Sequence, residues 1–213
     1  MSQGARKLSA VDVDRFWQIV ERAREAAGPA ADRARQDGPS AVAEALVVEL
    51  TRLPLPEIVA FDQTLSDLCD LADTGDIAAA CWIIERAFLS DDRFSDFRAG
   101  LIGLGRSAFE AVITEPDTLA EHPAVQEIST SDGHDLWIGD ETLLFAAPEA
   151  YEQHTGDPDA FWDAADATEV NTARPTRAPK PNDERWDLRN EDEWRRRLPK
   201  LAALFLTHRF IQG

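Results

Sequence analysis

The chain has 213 residues, 44% of them apolar, and a formal net charge of −18 from 40 acidic and 22 basic residues. That length and apolar content allow a sizeable core without metal or disulfide staples and exclude a disordered chain. The strong negative charge argues against nucleic acid as a ligand, and no apolar run approaches the length of a membrane span.

The first eleven residues carry Arg6 and Lys7 without an apolar segment. They read as a disordered N-terminus with no signal peptide, so the cytoplasm is the expected location. Phe16, Ile19, Val20 and Ala23 then recur at helical spacing, predicting a helix over 12–27 that Gly28-Pro29 stops. Ser40 is a candidate N-cap for a second helix with Val42, Leu46, Val47 and Leu50 on its apolar face. Pro54 and Pro56 open a third, with Ile58, Phe61, Leu65, Leu68 and Ala72 as its stripe and several aspartates opposite. Residues 77–88 are almost wholly apolar and predict a central helix. Cys69 and Cys81 lie in apolar helical surroundings and read as reduced, buried side chains.

Ser90 is placed to cap the next helix, with Asp91 and Asp92 in its first turn. Gly103-Leu104-Gly105 should break that helix before 107–114, and 116–122 reads as one short helical turn. Residues 125–138 admit two readings. Asp132-Gly133 is either the turn of a short β-hairpin or part of a loop between helices. Asp140 caps a helix reaching Thr155, which Pro148 should kink or restart. A proline-containing linker is expected over 157–183. Asn190 to Glu193 then form a capping box for a C-terminal arm over 184–213. Its stripe of Trp194, Leu198, Leu201, Leu204 and Phe205 must dock on something. The fold class is therefore all-α, with a helical domain over 12–156 and a docked helical arm.

Several of these segments carry a resemblance. Asp14-Arg15-Phe16-Trp17, the run Ser90 to Arg98, Leu101-Ile102, Gly105, Phe109, the run Glu115 to Ala120, Glu149 to Glu152 and Thr155-Gly156 together resemble the bacterial family called domain of unknown function 4240. The likeness spans residues 12–156. It implies a mostly helical domain and no known activity, so no catalytic residue is carried over. Two departures stand out: Gly100 occupies a position where a bulky aromatic is expected, and Pro148 interrupts a helix.

Charge is segregated along the chain. Residues 107–173 contain no lysine or arginine and hold 16 of the acidic residues, together with three of the four histidines. Such a stretch builds a local negative field that attracts cations or basic partners. Asp91, Asp92, Arg98 and Glu85 form a candidate polar site, with a structural role as helix cap and ion pairs expected for it; Arg98 could tie the motif to Glu85. Trp162, Trp186 and Trp194 are candidate anchors for a partner or for docking of the arm. Asp132, His134 and Asp135 are a compact set of metal-ligand types. No HExxH, paired histidines or EF-hand loop accompanies them, so no metal or cofactor is expected. The resulting expectation is a non-enzymatic interaction or regulatory module with an acidic face for a basic protein, of the immunity or nucleic-acid-mimic kind. The alternative is a helical hydrolase or metal-dependent enzyme using the Asp91/Asp92 or His134/Asp135 region. The oligomeric state is not readable from the sequence.

Overall fold

Apolar residues at helical spacing, punctuated by Ser, Thr, Asp and Pro at the helix starts, produce a bundle of short helices. The computed structural model describes residues 10–36, 38–86, 90–131, 135–171 and 187–209. Helices α1 (Ala10–Ala27), α2 (Ala41–Leu50), α3 (Leu55–Leu71), α4 (Gly75–Ile84), α5 (Asp91–Gly103), α6 (Arg106–Thr114) and α7 (Pro123–Thr130) come first, with 3-10 turns over Gly28–Asp32 and Pro116–Glu121. Helices α8 (Glu141–Leu144), α9 (Ala146–Thr155), α10 (Ala160–Asn171), α11 (Glu191–Arg197) and α12 (Pro199–Arg209) follow. Among the described residues there is no strand, and none of these helices is long and apolar enough to cross a membrane.

The caps are largely those the sequence predicts. Ser40, Thr74, Ser90, Asp140 and Asn190 each accept a backbone N–H from the first turn of α2, α4, α5, α8 and α11. The stripe of α3 is buried throughout. Phe16 of α1 stacks on Phe61 of α3 at 4.5 Å, and Trp17 packs on Phe109 of α6 at 5.4 Å. The paired aromatics of the Asp14-Arg15-Phe16-Trp17 motif therefore join three helices in the core. Cys69 and Cys81 are buried and unbridged. Burial pushes the Cys69 thiol up to about 12 and the Cys81 thiol well above its ordinary value, so both stay protonated and unreactive.

Four local expectations are corrected. The helix predicted over 77–88 ends at Ile84, because Arg86 adopts a left-handed conformation with φ of 55°; residues 87–89 lie outside the described residues. The hairpin alternative fails on its first half, since Val125 to Ile128 lies inside α7, where Ala124, Val125 and Ile128 supply a buried helical face. The kink or restart expected at Pro148 in the helix after Asp140 falls three residues earlier, at Phe145, where the helix divides into α8 and α9. Pro148 sits in the first turn of α9, where its missing N–H leaves no hydrogen bond unmade. The expected linker begins with α10, whose Phe161 is buried against Tyr151 of α9.

The C-terminal arm docks on the helical domain. Trp194, Leu198, Leu201, Ala202, Phe205 and Leu206 are buried, with α12 lying against α4, α7 and the 116–121 turn. The arm is not one helix: Leu198 leaves helical geometry and Pro199 starts α12 afresh. Arg195 pairs with Glu191 and Asp192, Arg196 with Glu193, and Arg197 with Glu193 and Asp76. One turn away along their own helix lie three acids, closer than any on the domain.

Candidate functional site

The motif from Ser90 to Arg98 meets the loop 135–140 at a buried polar junction. Ser90 has extended backbone geometry, and its hydroxyl accepts the Arg93 N–H at 3.1 Å. Asp91 and Asp92 flank that cap and point into solvent, where they complement the helix dipole. One turn on, the Arg93 guanidinium lies 3.4 Å from the Glu85 carboxylate and 5.0 Å from the centre of the Trp137 ring. It is held between an anion and an aromatic face, an arrangement that suits a partly desolvated cation.

Glu85 closes the C-terminal end of α4, its backbone N–H donating to the Cys81 carbonyl at 2.8 Å. Its buried side chain accepts the N–H of Ile138 at 3.3 Å and is also bonded by the Gly139 backbone. Burial pushes its pKa above the ordinary carboxylate value, outweighing Arg93 and the two backbone donors. Asp96 is shifted the same way, first by burial and then by Glu141.

The loop is held from several sides. The Asp140 N–H donates to the Asp96 carbonyl at 2.8 Å. Trp137 and Arg35 exchange a pair of backbone hydrogen bonds at 2.8 and 3.1 Å. The Arg35 guanidinium donates to the Gly139 carbonyl and lies 3.0 Å from the Asp140 carboxylate, which also accepts the Leu143 N–H to cap α8. Gly100 explains itself here. A Cβ at that position would stand 2.2 Å from the Ile138 carbonyl oxygen, so the loop can lie against α5 only if residue 100 has no side chain.

Arg98 does not tie the motif to Glu85. It lies five residues after Arg93, which turns it roughly 140° around the helix. It faces α3, donating to the Cys69 carbonyl at 3.2 Å and to Ser95 Oγ at 3.1 Å, with its guanidinium 4.9 Å from the Phe94 ring centre. Glu85 therefore takes Arg93 as its partner. The junction pairs Glu85 with Arg93 and Asp140 with Arg35, and what this geometry does is clamp a loop.

Gly105 plays a different part. With φ of 93° it precedes α6 and has no side chain to cap it, so Glu21 of α1 accepts the Arg106 N–H at 2.8 Å. Arg106 in turn binds Asp14 at 2.6 Å and Glu110 at 2.7 Å. A shallow open groove beside it is lined by Asp14, Trp17, Gln18, Glu21, Arg22 and Arg106. Both of its arginines already hold carboxylates, Arg22 through Glu49 at 2.6 Å.

The remaining candidates separate. Trp194 is buried and its indole N–H donates to the Leu188 carbonyl at 2.8 Å, so it anchors the arm. Trp162 is half exposed and packs edge-on against Phe161. Trp186, Asp132 and His134 lie outside the described residues. Asp135 is exposed, and no group of three or more metal-ligating side chains occurs among the described residues. His122 Nδ1 accepts the Ala124 N–H at 3.2 Å at the start of α7, and burial lowers its pKa, as fits an imidazole acting as acceptor. His154 bonds the Thr51 carbonyl. The histidines of the acidic stretch that the structure describes thus serve backbone groups, His122 at the start of its own helix and His154 just past the end of α2.

Glu149, Glu152, Asp157, Asp159, Asp163 and Asp166 are all exposed along α9, the following turn and α10, with Trp162 in their midst. None forms an ion pair with a described residue. In contrast, Glu121 and Glu127 of the same basic-free stretch are neutralised by Lys200 and Arg33, which lower their pKa values.

The family model for a protein of unknown function, DUF4240, matches residues 11–153. The chain belongs to this family. No curated protein and no solved structure matches it. The match covers α1 to most of α9, so α10 and the arm lie beyond it. The residues carrying the family likeness include the core aromatics Phe16, Trp17 and Phe109 and the Ser90 to Arg98 run that packs on the clamped loop.

Sequence reasoning missed Arg93, Arg35 and Trp137. Arg93 was legible in principle, since a residue three after an N-cap lies one turn into the helix and can reach back past it. Arg35 and Trp137 carry no local signal, because what joins them is a contact between distant segments.

Proposed function

We propose that this protein is a non-enzymatic interaction or regulatory module whose acidic face receives a basic protein partner, of the immunity or nucleic-acid-mimic kind. One observation carries the reading: six exposed carboxylates without an ion-pair partner among the described residues lie along α9, α10 and the turn between them, the segment that also exposes half of Trp162. Carboxylates at such density raise the local concentration of a basic partner and speed its association. A large aromatic among them offers the apolar anchor that binding energy concentrates on. The enzymatic alternative draws less support. Asp91 and Asp92 flank a helix cap, and the nearby Glu85 is paired and covered.

Capture of proteins from native lysate on the immobilised full chain tests the proposal. A basic protein should be enriched at low salt and released as ionic strength rises. Enrichment of no basic protein, or capture indifferent to salt, would count against it.

A further inference from the structure

Helix α12 begins without a cap of its own. Leu198 occupies the N-cap position, its carbonyl accepting the Ala202 N–H at 2.8 Å and its own N–H donating to the Trp194 carbonyl at 2.8 Å. Pro199 has no N–H to satisfy. The two donors left over are the N–H groups of Lys200 and Leu201, and Asp117 takes both. Oδ2 accepts from Lys200 and Oδ1 from Leu201, each at 2.9 Å. A carboxylate from the family domain, only 3% exposed, thus supplies the N-cap of a helix outside it.

The surroundings repeat the pattern. Lys200 Nζ reaches Glu121 at 2.7 Å on the same 116–121 turn, and Arg197 lies 3.8 Å from Asp76 at the start of α4. Leu198, Leu201, Ala202, Phe205 and Leu206 fill the apolar floor between. Within the arm, other polar groups are served locally: Asn190 caps α11, Trp194 bonds Leu188, and Arg195 and Arg196 hold their own acids. The arm therefore keeps much of its hydrogen bonding when it leaves, and Asp117 gains water in place of the two N–H groups.

We infer that the 116–121 turn, α4 and α7 form a receiving groove for an amphipathic helix, and that α11–α12 is its built-in, detachable occupant. The apolar floor supplies affinity. Asp117 supplies register, because only a helix starting at its level presents two free N–H groups. The ligand class is accordingly a helix with proline at its first position, no capping side chain of its own, a following lysine, and leucine and phenylalanine on one face. This is helix-in-groove recognition with the helix start read as well as its stripe. It does not depend on the acidic face of α9–α10.

The test uses the full chain with a protease site introduced within residues 172–186, cut after purification. The severed arm should co-elute with the domain in gel filtration. An excess of fluorescent peptide of residues 187–209 should then exchange into its place. Asp117→Asn should weaken peptide binding about tenfold, in line with loss of a helix cap, while Glu121→Gln changes it less. Hydrogen exchange on the uncut wild-type chain gives an independent reading, with α11–α12 opening as a unit ahead of α4 and α7. A domain that unfolds or aggregates once cut, a peptide that does not exchange, binding indifferent to Asp117→Asn, or α12 amides exchanging only together with α4 and α7 would each overturn the inference.

Discussion

At the scale of single residues, the family-bearing motif acts through geometry. Ser90→Ala removes the cap of α5 and should lower stability by about 1 kcal/mol. Asp91→Asn should cost less, about 0.3–1 kcal/mol, because it removes only a first-turn charge. Chemical denaturation of both variants checks the order, and a severe functional loss from Asp91→Asn at unchanged stability would contradict the structural role given to the motif. Gly100→Ala should be worse than either. Its methyl group meets backbone rather than a side chain that could swing away, so α5 and the loop must part, at about 1–3 kcal/mol in the same assay. Glu85 predicts a pH effect. Burial raises its folded pKa above the ordinary carboxylate value, so between those values the folded chain binds more protons than the unfolded one. Its contribution to stability is fully present below the ordinary value and is lost as pH rises through the raised one. Melting curves of wild type and Glu85→Gln across the acid range should therefore show the wild type's relative stability greatest at low pH and falling toward neutrality. A difference that stays flat would contradict the burial argument.

At the scale of elements, helix existence was legible and helix joints were less so. Stripes such as Ile58, Phe61, Leu65 and Leu68 state one period and bury one face, which is local information. The break at Phe145 follows the rule for proline near a helix start, whereas the halt of α4 at Ile84 rests on Arg86 in a left-handed conformation that its side-chain type does not announce. Asp117 shows the limit most plainly. As an acid after Pro116 it reads as an ordinary first-turn residue, yet it caps a helix 83 residues later. The only sequence trace of that bond is an absence at the other end, a Leu198-Pro199 helix start with nothing to cap it. The arm's stripe did predict docking. Leu201 is fully buried, so Leu201→Ala should cost about 2–5 kcal/mol, and truncation after Asp183 should lower the thermal midpoint or cause aggregation. A truncated chain that melts at the same temperature and stays soluble would show that the arm contributes nothing to the fold.

At the scale of the whole molecule, the decisive asymmetry is electrostatic. A chain whose basic residues are withheld from residues 107–173 folds so that some of those acids find arginine or lysine from elsewhere, while the six exposed acids of α9, α10 and the turn between them find none among the described residues. The sequence displayed the segregation; which acids would be neutralised depended on contacts such as Arg33 with Glu127 and Lys200 with Glu121. The candidate site divides along the same line. The polar cluster around Glu85 was visible as residue types, and its inward-facing pairing, which makes it a clamp, was not. The most direct test of the acidic-face reading is a side-by-side capture from native lysate. Wild type is compared with a variant carrying Asn or Gln at Glu149, Glu152, Asp157, Asp159, Asp163 and Asp166 and Ala at Trp162. The variant should keep its helical signal and melting cooperativity and lose the basic partner. Equal capture of the same basic protein by the two chains would contradict the account.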